Sequence, residues 1–285
     1  LLYQQRADEA IRTALPILQQ FGIHLPLEPT KLTIIGSSIR ASLMLRNRTP
    51  EQVEQLPETT DPNVRLVIKM LANVSLASAL TRPKMIPVIM LHQLRNSIQS
   101  GLTAESGAGF LMYAIVQSSF QGNYQTGSDM MELAIRLSRR FDAVAIELSC
   151  NLVKAIYIHH WVAPYQESLD LLLDTYRRSR ENGLLTNAFN ALGSACIMSI
   201  YSALPLDVVL QRSLDSLRLL SLQRQSLPEI SCRIAAQLAY ELQQQQPPDT
   251  FFNGPYADNK VLEPYLRKNN EFIGLINLLV TRMMW

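Results

Sequence analysis

The sequence predicts an all-α fold, a right-handed superhelical solenoid of antiparallel helix pairs at about 41 residues per pair. Three observations predict it. Glycine is scarce, 11 of 285 residues, and strand-like alternation is almost absent. Apolar residues recur at helical spacing, as at Met130, Ala134, Leu137 and Phe141, and again at Leu169, Leu172, Leu173 and Tyr176. The helix starts are evenly punctuated: Pro83, Tyr124, Pro164 and Pro205 each open an amphipathic run. A proline in a first helical turn forfeits no hydrogen bond, because that N–H is unpaired anyway. A helix–turn–helix unit repeated at this period is the mark of a solenoid.

Taken in order, helices are expected at 3–21, 31–48, 61–81, 83–100, 104–121, 124–141, 143–161, 164–182, 184–203, 205–223, 227–245 and 260–285. Residues 1–60 read as an N-terminal helical pair and connector, and 61–245 as helical repeats. Residues 246–257 read as an inserted loop, and 258–285 as the start of a further, truncated repeat. In the turn Gly122-Asn123-Tyr124, Gly122 supplies the left-handed backbone that ends a helix. The loop carries Phe251, Phe252 and Tyr256, either folded back on the stack or held out as an interaction loop.

The bulk numbers exclude several classes of function. Lys+Arg is 26 against Asp+Glu 24, a formal charge of +2, so no basic face invites nucleic acid or an acidic membrane. Residues 182–206 hold no charge, a length that could span a bilayer. Asn182, Asn187, Asn190, Gly193, Ser194, Ser199 and Pro205 within that stretch favour a helix buried on several sides instead. Cys150, Cys196 and Cys232 form no C-x-x-C and are odd in number, so they read as buried apolar residues in a reducing, cytoplasmic compartment. The start lacks a signal-peptide layout and the end still reads as helix, as in a segment of a longer protein.

No catalytic constellation stands out, and none is expected. His159-His160 are adjacent, so their rings point about 100° apart on a helix and converge poorly on a metal. No metal or cofactor is expected. Trp161 is expected to plug the junction between helices, with His160 facing a groove. Asp170 and Asp174, followed by Arg177 and Arg178, read as a solvated helix face. The best site is the concave face, lined by first helices. Steps of 41 bring Met112, Val153 and Ser194 into equivalence, then Val116, Tyr157 and Met198, then Ser119, His160 and Tyr201. Met112, Val116, Tyr157, His160, Met198 and Tyr201 are the candidate binding residues, suited to a peptide, a partner helix or a small apolar signal. The same residues could instead face neighbouring helices as core, since a one-residue register shift rotates the strip.

The segment GNYQTGSDMMELA resembles the second half of a tetratricopeptide repeat. The resemblance makes Gly127 the small residue at a close helix crossing, Met131 the bulky one and Ala134 the second small one. The crossing position then falls on Ser168 and Val209 in later repeats. In order, FGIHLPLEP, LPETTDPNVRLVIKMLANV, GNYQTGSDMMELAIRL and WVAPYQESLDLLLDTYRRSRENGLLTNAFNAL together resemble the helical-repeat region of very large signalling ATPases. There the region follows a serine/threonine-kinase-like domain and a P-loop ATPase module, and precedes sensor and histidine-kinase-type outputs. This implies a non-catalytic regulatory arm that binds a partner domain, peptide or signal. The alternative is a stand-alone adaptor holding partners together. Neither G-x-x-x-x-G-K-[ST] nor H-R-D nor D-F-G occurs in the chain.

Overall fold

The structure, a computed structural model, describes residues 2–221, 226–244, 252–268 and 271–283. The described residues are helical, with no strand among them, and the chain divides into two compact units, Leu1–Cys150 and Asn151–Trp285.

The first unit holds α1 (Leu2–Gln20), α2 (Lys31–Leu45), α3 (Pro50–Glu54), α4 (Pro62–Thr81), α5 (Ile86–Ser100), α6 (Ser106–Ile115) and α7 (Tyr124–Arg140). It also holds the first half of α8 (Val144–Tyr157). Local chemistry sets the starts. Thr49 makes a capping box with Gln52 ahead of Pro50, and the Asp61 carboxylate accepts the Asn63 N–H ahead of Pro62. The apolar faces of α1, α4 and α5 meet in a core of Ile11, Leu18, Leu71 and Ile89, all fully buried. α5 packs on α6 and α6 on α7.

Gly127 does sit at a close crossing. A β-carbon there would collide with Ser118 Oγ and lie 3.0 Å from the Ala114 carbonyl oxygen. Met131 and Ala134 are fully buried beside it. Gly122 is left-handed, with φ +70. Because the preceding turn, Val116–Phe120, is a π-helix, the closing bond is wide: the Asn123 N–H donates to the Gln117 carbonyl at 2.9 Å.

The second unit holds the rest of α8, then α9 (Tyr165–Glu181), α10 (Leu185–Tyr201), α11 (Leu206–Ser221), α12 (Ser226–Gln244), α13 (Asn259–Lys268) and α14 (Phe272–Met283). α10 packs on α9, α11 and α12, which accounts for its lack of charge. Its Gly193 meets α12 so closely that a β-carbon would lie 2.7 Å from Pro228 Cα. Ser168 and Val209 are both buried. No helix among the described residues is long and apolar enough to cross a membrane.

Several expected helices break. The 31–48 helix stops at Leu45, and α3 follows. The 83–100 helix begins with a 3-10 turn over Pro83–Met85. The 104–121 helix gives way to the π turn, and the 143–161 helix ends at Tyr157. The 260–285 helix is two helices, α13 and α14. Of the inserted loop, 246–251 lies outside the described residues. Phe252 is fully buried and Tyr256 stacks edge-on to Tyr240 at 5.7 Å, so the described part folds back onto α12. Two polar side chains one turn apart on α12 hold it. Gln237 Oε1 accepts the Tyr256 and Ala257 N–H groups, and Glu241 Oε2 accepts the Phe252 N–H at 2.9 Å.

Candidate functional site

The connection from α8 to α9 carries the most chemistry-bearing cluster of the second unit. After Ile158, which is fully buried, His159–Trp161 form a 3-10 turn, and Pro164 then caps α9 without a side-chain bond. The turn holds its rings in a fixed order. The His160 ring lies 5.0 Å from Trp161 and stacks on Tyr165 at 5.6 Å with 9° between planes. Tyr165 in turn sits 5.7 Å from Tyr201 at the end of α10. These separations are those of favourable aromatic pairs.

The two histidines differ. His159 Nδ1 is 3.3 Å from the buried Ser168 hydroxyl, and its Nε2 is 3.8 Å from Glu167. His160 Nδ1 is buried with no hydrogen-bond partner among the described residues. Burial, and then the neighbouring His159, hold the His160 imidazole below its ordinary range, so it is neutral at physiological pH. Burial raises the Tyr157 and Tyr201 phenols. Trp161 does not plug the junction between helices; it is 54% exposed, because the 3-10 turn lifts it off the α8 axis.

The six candidate residues divide between core and surface. Val116, on the π turn, and Met198 are buried, and Met198 packs with Leu152, Ala155, Leu169, Leu172, Ala191 and Ala195. Both therefore serve as core, the outcome that a small rotation of the strip produces. Met112 and Tyr157 are half-buried. His160 and Tyr201 are brought together, through Tyr165. Steps of 41 residues along first helices do not reach Tyr165, because it opens a second helix. Its position directly after Pro164 is the signal in the sequence that points to it.

The thiols of Cys150, Cys196 and Cys232 lie apart from this cluster in character, and hydrogen bonding from Cys232 holds the Cys196 thiol below its ordinary range. All three are buried. Burial pushes Cys150 up to about 12. Cys232 Sγ lies 3.4 Å from Cys196 Sγ, which lies 3.5 Å from Ser216 Oγ. Hydrogen bonding to Cys196, together with burial, drives the Cys232 thiol well up. Among the described residues no three His, Cys, Asp or Glu side chains stand together to hold a metal ion. A groove of 580 Å³ runs along α10 and α11, lined in part by Leu192, Arg212 and Asp215, with the Arg212 guanidinium donating to Ser199 Oγ. What the aromatic cluster presents to solvent is the rings of Trp161 and Tyr165, while the His160 Nδ1 stays buried. No known family's sequence pattern matches the chain, and no characterised protein or solved structure is significantly similar to it.

Proposed function

We propose that the chain is a non-catalytic regulatory module of tetratricopeptide-like helix pairs, stacked as a right-handed solenoid. It binds a peptide or a neighbouring domain of its own polypeptide and couples that binding to an adjoining ATPase or kinase. The observation that carries the reading is the ladder Trp161–His160–Tyr165–Tyr201. It joins the end of one helical pair to the next and leaves an indole in solvent. Exposed aromatic anchors beside a neutral imidazole suit an apolar or aromatic side chain of a partner. In stacked pairs each unit touches only its neighbours, so a ligand bridging two pairs biases their relative curvature.

The test is binding of the segments that flank this chain in its full polypeptide, measured by calorimetry on the unaltered chain and on a Trp161→Ala/His160→Ala/Tyr165→Ala variant. Affinity is expected to drop about tenfold or more, as for loss of a hot-spot cluster. Unchanged affinity, with the helical melt intact, would refute the site.

A further inference from the structure

Helix α2 is turned inside out. Its inward face, packed on α5, is Ser37, Ala41 and Leu45. Its outward face is Leu32, Ile35, Ile39 and Leu43, exposed by 82%, 55%, 53% and 59%. The outward residues step by three, four and four, a continuous apolar seam about 16 Å long at 1.5 Å per residue. The orientation is fixed. The Ser42 hydroxyl receives hydrogen bonds from Tyr113 Oη at 3.3 Å and from Gln117 Nε2 at 3.2 Å, and turning the seam inward would break both. A seam of this size facing solvent is the usual mark of an interaction surface.

Charge says what covers it. Residues 29–50 carry Lys31, Arg40, Arg46 and Arg48 and no acid. All four cations are exposed, and none forms an ion pair among the described residues. Lys31 and Arg40 lie on opposite flanks of the seam, at about 90° from it on a helix of 3.6 residues per turn. We infer that α2 docks an acidic amphipathic helix of a partner protein. The partner's apolar stripe would meet Leu32, Ile35, Ile39 and Leu43, and its flanking carboxylates would meet Lys31 and Arg40. A second copy of the chain fits less well, because cations would face cations in either orientation. A lipid surface also fits less well, because residues 29–50 hold neither Trp nor Phe, the side chains that anchor interfacial helices. This surface lies in the first unit and is independent of the aromatic ladder.

The probe is a labelled synthetic peptide of three heptads with Leu at a and d and Glu at e and g, whose own repulsion keeps it from self-pairing. Its twin carries Lys at e and g. Anisotropy titrations with the whole chain are expected to show the Glu peptide binding about tenfold tighter than the Lys twin. Ile35→Asp/Ile39→Asp is expected to weaken the Glu peptide by about tenfold or more. Both positions face solvent, and a circular dichroism melt checks that the variant folds. If it does not, Arg40→Glu serves instead and is expected to narrow the preference for the Glu peptide. Equal affinity for the two peptides overturns the inference, as does binding that ignores the substitutions. Seam-dependent sedimentation with phosphatidylserine–phosphatidylcholine vesicles, without peptide discrimination, overturns it in favour of lipid. A seam-dependent dimer in ultracentrifugation overturns it in favour of a second copy.

Discussion

The chain leaves α9 and α8 in two different ways. At the end of α9, Gly183 takes φ +72, its N–H donates to the Arg180 carbonyl, and the Leu184 N–H reaches back to the Ser179 carbonyl at 2.8 Å. The end of α7 has the same closure, with Asp142 at φ +52 and the Ala143 N–H on the Ser138 carbonyl at 2.8 Å. The end of α10 has it again, with Ala203 at φ +53 and the Leu204 N–H on the Ser199 carbonyl. All three are left-handed closures in which a bond spanning five residues satisfies an orphan carbonyl. The end of α8 uses none of this. It unwinds through a 3-10 turn, no residue between 158 and 164 has positive φ, and Pro164 blocks continuation. A left-handed closure hides its residues in a tight loop. The 3-10 exit turns successive side chains to different sides, and here they are His, His and Trp. The departure from the common turn is what exposes the ladder.

Three changes sharpen or break that contrast. The largest effect belongs to Gly183→Val, which forces a β-branched side chain into left-handed backbone. It should cost about 2 kcal/mol in urea denaturation. A cost near zero would mean that the closure carries no conformational demand. Ala203→Gly is the converse and should stabilise by about 1 kcal/mol, because the native alanine already bears the left-handed penalty. The smallest effect is a pH dependence. His160 is held below the ordinary 6.5 by burial and His159, so below about pH 6.5 the unfolded chain takes up a proton that the folded ladder resists. Stability is therefore full above that pH and falls as pH drops through it. His92 shifts in the same direction through burial, so His160→Phe should flatten the fall without abolishing it. An unchanged slope would show that the ladder does not hold His160 neutral.

Much of this is legible in the sequence because turn chemistry is local. Tyr124, Pro164 and Pro205 announce α7, α9 and α11 to within a residue, and Gly122 announces its left-handed turn. The close contact at Gly127 is legible only through the resemblance of GNYQTGSDMMELA to half of a tetratricopeptide repeat. Features that depend on distant partners are not. The break before α6 is expected from the sequence, but its partner is not: Gly101, at φ +101, lies so tight against residue 59 that a β-carbon would stand 2.9 Å from the Thr59 nitrogen. Nothing near residue 101 signals that neighbour. The capture of residues 252–257 depends on Gln237 and Glu241, which look in sequence like an ordinary polar face. The outward seam of α2 is equally hidden, because periodicity gives a helix its apolar face but not the side on which a neighbour packs.

The charge-free helix α10 has a consequence for synthesis. Its flank at Gly193 is covered by α12, which ends at Gln244, roughly 40 residues beyond the last residue of α10, Tyr201. At ~5–20 residues per second, a ribosome delivers that cover ~2–8 s after α10 emerges. For those seconds the nascent chain presents bare alanine, leucine and phenylalanine to water or to a chaperone, and slow codons between α10 and α12 would lengthen the exposure.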